Sequence, residues 1–240
     1  MELKELLEKF TLEGSDERKC IGNNPFTALQ EPPQKFQEVA KAILSGHFRV
    51  QNSSTSEHIE VHPTCVEIYY HEEQNNGVKD PIVYHRNRET KSGKNTPSVF
   101  PLGVLHNHVS GIDITFESEA DNSKKYVTGI VRASALIRKF KVKDKDGKWM
   151  EFTKIKNNED IKSKIEDRST YIYEYLFGQF SIFDGFTIKW VDGGQDFDDI
   201  KLKCNPRKNV KEYRYPTGDE YDYQKEGRQC KRAWQFVIES

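Results

Sequence analysis

No run of about 18 apolar residues occurs in the 240-residue chain, so no segment of it is long and apolar enough to span a membrane as a helix. The opening MELKELLEKF is charged throughout and lacks the apolar centre of a secretion signal, which points to a cytoplasmic protein. Cysteine is scarce. Cys20, Cys65, Cys204 and Cys230 lie far apart with no C-x-x-C pair, which excludes a disulfide or zinc framework and leaves free thiols. An excess of either charge is also missing. The formal net charge is −1, so bulk charge makes no case for a polyanionic partner. The chain has no internal repeat and no recognisable linker, so a single large domain is expected.

What is present is local. Apolar residues make up 35% of the chain and charged residues 31%, which predicts a lean core under a heavily charged surface. Residues 124–148 hold nine basic side chains against two acidic ones, about +7, and residues 201–214 six against one, about +5. Patches of this kind guide a polyanion even when the total is near zero, although solvated lysines on exposed faces have the same composition.

Periodicity gives the elements. Residues 1–10 read as an amphipathic helix and 15–33 as a polar loop. Phe36, Val39, Ala40, Ile43 and Leu44 fall on one face of a helix that Pro33 starts and Gly46 ends. Residues 47–50 and 59–71 read as strands around a polar turn, and 87–97 as a loop. Residues 99–118 are β-like with a break at Ser110-Gly111, and 127–142 form a further strand or strand pair. Asp144 to Gly147 is a turn, and 169–177 a short helix with Ser169 as its cap. Three alternating stretches follow, at 187–191, 213–223 and 234–238. The expected fold is a single α+β domain with a curved, mostly antiparallel sheet and flanking helices.

One stretch raises a chemical question. In Cys65-Val66-Glu67-Ile68-Tyr69-Tyr70, alternation places Glu67 and Tyr69 on one face of a half-buried strand. Arg132 interrupts the apolar run GIVRASALI, and an arginine there needs a partner. A Glu67–Arg132 pair is the natural candidate, either as a site or as a structural ion pair. His85, His106, His108, Asp113 and Glu117 are further polar residues on or beside the strands.

In order along the chain, VAKAILSGHFRV, CVEIYYHEE, DPIVYHRN, FPLGVLHNHVSGIDITFES and TGIVRASALI resemble the alkyladenine (3-methyladenine) DNA glycosylase family. That family runs from a helix ending Leu-Leu-Gly through Glu-Thr-Glu-Ala-Tyr, an Asp- and His-containing segment and Met-Phe-x-x-Pro-Gly to Leu-Ile-Arg-Ala. NPRKNV resembles its Pro-Arg-Ile-Gly-Ile, and KRAWQFVI its closing Pro-Trp-Arg-Phe. The likeness spans roughly residues 36–240. It separates an N-terminal extension, 1–33, from a glycosylase-like catalytic domain, 34–240.

The resemblance implies a monofunctional DNA glycosylase. Such an enzyme flips a base out of double-stranded DNA and hydrolyses its N-glycosidic bond, leaving an abasic site. It needs no cofactor and no metal, and a monomer is expected. Glu67 falls on the catalytic glutamate, which activates water and stabilises the cationic sugar, and Arg132 on the arginine that orients that water. Tyr69 and His85 fall on the rings that stack on the flipped base, and the pocket would also take in Asn107, Glu117, Asp113, His106 and His108. Phosphate contacts are expected from Arg207, Lys208, Lys124 and Lys125, with Arg138 and Lys139 as further candidates.

The sequence also departs from the family. Ser110 stands where an intercalating tyrosine belongs, Asn107 replaces a pocket aromatic, Glu117 replaces an asparagine, and DRST replaces Gly-Pro-Gly-Lys. The pocket is therefore more polar than one built for electron-poor alkylated purines. That suggests a hydrophilic, hypermodified base such as the glucosylated bases of phage DNA, with phage defence as the setting; an alkylated base in repair is the alternative. Two other classes compete. His106 and His108 form an H-x-H pair able to ligate a metal in a hydrolase. A scaffold without its wedge and pocket rings also suits a non-catalytic reader of modified DNA.

Overall fold

The computed structural model describes residues 2–10, 12, 17, 21, 31–74, 77–80, 82–83, 85–90, 93–95, 97–118, 130–178, 183–193, 200–207 and 232–239. Among the described residues, three helices flank the strands: α1 (Leu3–Glu8), α2 (Gln34–Ser45) and α3 (Ile172–Phe177), the last preceded by a 3₁₀ turn, Ser169–Tyr171. The main sheet contains β1 (His47–Asn52), β2 (His58–Glu72), β5 (Leu105–His108), β6 (Gly111–Thr115), β7 (Val131–Lys143), β10 (Phe186–Val191), β11 (Leu202–Asn205) and β12 (Gln235–Ile238). Two small hairpins stand apart, β3–β4 (Arg88–Thr90, Gly93–Asn95) and β8–β9 (Phe152–Lys156, Glu159–Ser163). The strand order is β10-β1-β2-β7-β6-β5, with β12 joining β2 and β11 joining β12, and every pairing is antiparallel. The sheet curls into a half-barrel, so the architecture is α+β as its patterning indicated.

α2 forms where its apolar stripe requires. Phe36, Val39, Ala40, Ile43 and Leu44 are all buried, and the Pro33 carbonyl accepts from the amides of Phe36 and Gln37. Beneath the helix lie Val66, Ile68 and Tyr70 of β2 with Ala133, Ala135 and Ile137 of β7. Phe10, Phe36, Tyr70, Phe116 and Trp234 make a chain of ring contacts through this core. Leu3, Leu7, Phe10 and Leu12 belong to the same cluster, so the described part of the N-terminal 33 residues packs into the body of the domain. Gly46 ends the helix against β10. A Cβ there would sit 2.3 Å from Trp190 Cζ2 and 2.8 Å from the Val191 carbonyl oxygen. Gly46→Ala is expected to lower stability by about 1–3 kcal/mol through overpacking, read from urea denaturation midpoints.

Several elements differ from their sequence reading. Within 87–97, the β3–β4 hairpin replaces the expected loop. β8, β9 and β11 were not anticipated, because short exposed strands such as β9 (EDIKS) carry no alternation. Ser169 does not cap a helix; its hydroxyl donates to the Ser110 carbonyl at 2.6 Å and ties the 3₁₀ turn to the β5–β6 hairpin. The stretch 213–223 lies outside the described residues, as do Cys20 and Cys230, while Cys65 and Cys204 are free thiols. Among the described residues, no helix is long and apolar enough to cross a membrane.

Candidate active site

The face of the sheet away from α2 is polar and ordered in rows. Residues opposite one another in an antiparallel pair share a face. The first row runs Gln235, Glu67, Leu136, Asp113, His106 across β12, β2, β7, β6 and β5. The second is Tyr69, Ser134, Thr115, and the third His71 and Arg132. A cavity of about 100 Å³ opens over these rows, with Tyr69, Asp113, Thr115 and Ser134 on the sheet side. His85, Phe100, His106 and His108 also line it. Cavities of roughly 150 Å³ hold a benzene ring, so the space is on the scale of a single planar ring.

Glu67 is fully buried and does not itself line the cavity; Tyr69, which does, links it to that space. Tyr69 Oη donates to its Oε2 at 3.0 Å, and Gln235 Nε2 donates to its Oε1 at 2.8 Å. The Arg138 guanidinium approaches it, with Nε 3.8 Å from Glu67 Oε2. The expected Glu67–Arg132 pair does not form. Arg132 is fully buried four residue pairs along the β2–β7 ladder, opposite His71, and its cation is taken by Glu73 at 3.3 Å and Glu117 at 3.1 Å. It also donates to the carbonyls of Ser98 at 3.0 Å and Pro97 at 2.6 Å. Arg132 therefore builds the cavity wall. It holds Glu117, whose Oε1 contacts His85 Nδ1 at 2.9 Å and whose Oε2 accepts the Phe100 amide at 2.8 Å. The rings of His85 and Phe100 stack at 4.1 Å, and Phe100 meets His106 at 4.5 Å.

Arg138 reaches Glu67 because of a pair of bulges. Pro63 has no amide hydrogen for the ladder, and the β2–β7 register shifts just after it. Cys65 faces Lys139 and Val66 faces Ile137, so Arg138 is the extra residue on β7. Simple alternation cannot place such a residue. Leu136-Ile137-Arg138 matches the first three residues of the Leu-Ile-Arg-Ala pattern, whereas Arg132-Ala133 matches its last two, so the resemblance does not choose between the arginines.

Other expected site residues sort by face. Tyr69, His85, His106, His108, Asp113 and Glu117 all line the cavity. Asn107 does not; it pairs with Ile112 on the opposite face of the β5–β6 hairpin and is exposed. Glu117 lines the space, but its oxygens are engaged by His85, Arg132 and the Phe100 amide, so the role of open acceptor for a substrate hydroxyl is corrected to wall support. Ser110 lies in the β5–β6 turn, its amide donating to His108 Nδ1 at 3.2 Å. Gly111 follows with φ 133°, a conformation open to glycine. Lys124, Lys125 and Lys208 lie outside the described residues.

Arg207 is not a phosphate contact. It is fully buried and grips Asp80 through two bonds, Nη1 to Oδ2 at 2.7 Å and Nη2 to Oδ1 at 3.2 Å. Its guanidinium lies 4.7 Å from the Tyr69 ring and so braces the cavity from behind. Burial alone would raise the Asp80 pKa, but Arg207 and Arg232 outweigh it and hold the carboxyl below its usual range.

The electrostatics of the cavity are unusual. Burial, with the charge of Glu67 adding to it, pushes Asp113 up to about 7, against the hydrogen bond it accepts from Ser134 at 3.3 Å. Burial lowers both His106 and His108, which favours neutral imidazoles at neutral pH. Tyr69 stays a phenol, raised well above 10 by burial and by Glu67. Among the described residues, His106 and His108 belong to no group of three side chains with metal-ligating spacing. Among the described residues, the set with metal-ligating spacing is His47, Glu60 and His62, elsewhere on the sheet, and Lys143 already contacts Glu60 at 3.1 Å. No protein-family model, curated protein or solved structure matches the chain.

Proposed function

We propose that the chain is a DNA N-glycosylase that receives a modified base in the cavity beside Tyr69 and hydrolyses its bond to deoxyribose. One observation carries the reading: a buried carboxylate, Glu67, is held by Tyr69, Gln235 and Arg138, and Tyr69 joins it to a ring-sized cavity walled by aromatic and imidazole rings. Breaking an N-glycosidic bond builds positive charge on the sugar, and a fixed carboxylate stabilises that charge and takes the proton of the attacking water. Arg138, one-fifth exposed, is placed to orient the same water. Tyr69 and the His85–Phe100–His106 wall supply stacking surfaces.

A flipped base leaves a gap in the duplex. Val109, 88% exposed at the tip of the β5–β6 hairpin beside His108, is the apolar wedge on this edge of the cavity. Along β7, Arg138, Lys139, Lys141 and Lys143 are partly exposed; Lys139, Lys141 and Lys143 line a second cavity with Trp149, and Lys141 and Lys143 lie 5.6 and 5.0 Å from its ring. These cations form a phosphate track. Lys139→Ala and Lys141→Ala are each expected to reduce the slope of log binding constant against log salt by about 1, measured by fluorescence anisotropy on duplex DNA. With Asn107 outside the cavity and Glu117 engaged in its wall, Asp113, Ser134, His106 and His108 are the polar residues that remain for a hydrophilic base, and a sugar carried by such a base would have to lie outside the ring-sized space.

Burial of Glu67 favours one other reading, a protein that binds modified DNA without cutting it. Single-turnover incubation with duplexes carrying glucosylated 5-hydroxymethylcytosine, hypoxanthine or 3-methyladenine, scored as abasic sites, separates the two. Glu67→Gln is expected to slow release on the order of 10²–10⁴-fold while leaving DNA binding intact. Equal abasic-site yields from wild type and variant would remove Glu67 from the mechanism, and binding with no abasic sites would leave only the reader.

A further inference from the structure

We propose that the second cavity, over Lys139, Lys141 and Trp149, binds a phosphate monoester carried on a ring-bearing body, the chemistry of a nucleoside monophosphate. The site is independent of the glycosylase reading. It holds about 210 Å³, and its lining shares no residue with that of the cavity beside Tyr69. Roughly 150 Å³ accommodates a ring, so the space takes one ring with an anion beside it.

One strand, one turn and one bulge build it. Lys139, Lys141 and Lys143 alternate along β7 with Phe140 and Val142, which are buried in the core, so the three lysines share the other face. The turn at 144–147 folds the chain back, and Trp149 bridges to Lys143, which sets its ring beside Lys141 and Lys143. Across the ladder, Pro63 faces Phe140 and Cys65 faces Lys139, so Thr64 is the extra residue of the β2 bulge. Thr64 lines the cavity and is 9% exposed, and among the described residues its buried hydroxyl has no hydrogen-bond partner. A hydroxyl left so is unfavourable, and a ligand that supplies the missing bond removes the penalty.

Charge selects the ligand. Glu60 takes Lys143 at 3.1 Å. Lys139 acts on Asp167, but that carboxylate accepts from Lys154. Among the described residues, neither Lys139 nor Lys141 has a carboxylate within ion-pair distance. Two uncompensated ammonium groups match a terminal phosphate, which carries close to two negative charges at neutral pH, better than a diester, which carries one. Lysine holds such a group as a point charge, and the Thr64 hydroxyl adds a directed donor. Inorganic phosphate would leave the apolar wall of Leu44, Ile165 and Val237 unused. Trp149, 38% exposed, offers ring surface on which a base stacks. The 5′ end of a nucleic-acid strand and a free nucleoside monophosphate share this chemistry.

The test is isothermal titration calorimetry of the full chain with thymidine 5′-monophosphate, thymidine and inorganic phosphate, repeated for Thr64→Val and Lys141→Gln. The nucleotide is expected to bind at least about tenfold tighter than thymidine or inorganic phosphate. Each variant should weaken it about tenfold while melting close to wild type. Equal affinity for the nucleotide and inorganic phosphate, undiminished binding in both variants, or no saturable binding would overturn the proposal. A short single strand with and without a 5′-phosphate then identifies the source. Tighter binding of the phosphorylated strand assigns a strand end. Equal binding of the two strands, with thymidine 5′-monophosphate still bound, assigns the free nucleotide. None of these measurements involves excision, so they stand whether or not wild type releases a base.

Discussion

Arg207→Ala is expected to destabilise the domain by about 3–5 kcal/mol, because it removes the two-bond partner of Asp80 in a fully buried site and leaves the charge of Arg232 as its remaining compensation. For a domain of this size that corresponds to a drop in melting temperature of roughly 10 °C, readable by calorimetry or circular dichroism. The loss should be general: Tyr69 loses the guanidinium at 4.7 Å behind its ring, and the Ile68 carbonyl loses the donor at 3.3 Å. A paired Asp80→Leu, Arg207→Met replacement should recover much of the stability, since it removes both charges together. A variant that melts like wild type but binds DNA more weakly would return Arg207 to the surface role suggested by its place in NPRKNV.

A second large effect is expected from Asp113→Asn, and it depends on pH. Unfolded, this carboxyl releases its proton near its ordinary 3.8; folded, it keeps the proton up to about 7. Between those values the unfolded chain binds fewer protons, so wild-type stability falls as pH rises through the window. Below the window the contribution is fully present. Above it the loss approaches roughly 4 kcal/mol, three units at about 1.4 kcal/mol each. Asparagine does not titrate and keeps an acceptor for the Ser134 hydroxyl. The variant should therefore gain on wild type by up to that amount between pH 4 and pH 8, measured by urea denaturation at each pH. A difference that stays constant across the range would show that Asp113 is ionised in the fold.

Much of this molecule was open to reading from residues alone. The α2 stripe, the long β2 and β7 strands and the break at Ser110-Gly111 follow from period and turn chemistry, which act over a few residues. The shared face of Glu67 and Tyr69 follows the same way and is realised as a hydrogen bond. Asn107 shows the limit of that reasoning. Its neighbours His106 and His108 reach the cavity, and a single alternation step sends Asn107 to the other side.

The partners of the buried ions were decided by tertiary structure. The sequence by itself determined that Arg132 and Glu67 would be buried charges needing partners, that the sheet would be antiparallel, and which residues would share a face. It did not determine that Arg132 pairs with Glu73 and Glu117 while Arg138 turns to Glu67, or that Arg207 faces inward to Asp80. Those choices depend on a register shift after Pro63 and on contacts between residues up to 127 positions apart, and ion pairing follows distance in space, on which local periodicity places no constraint.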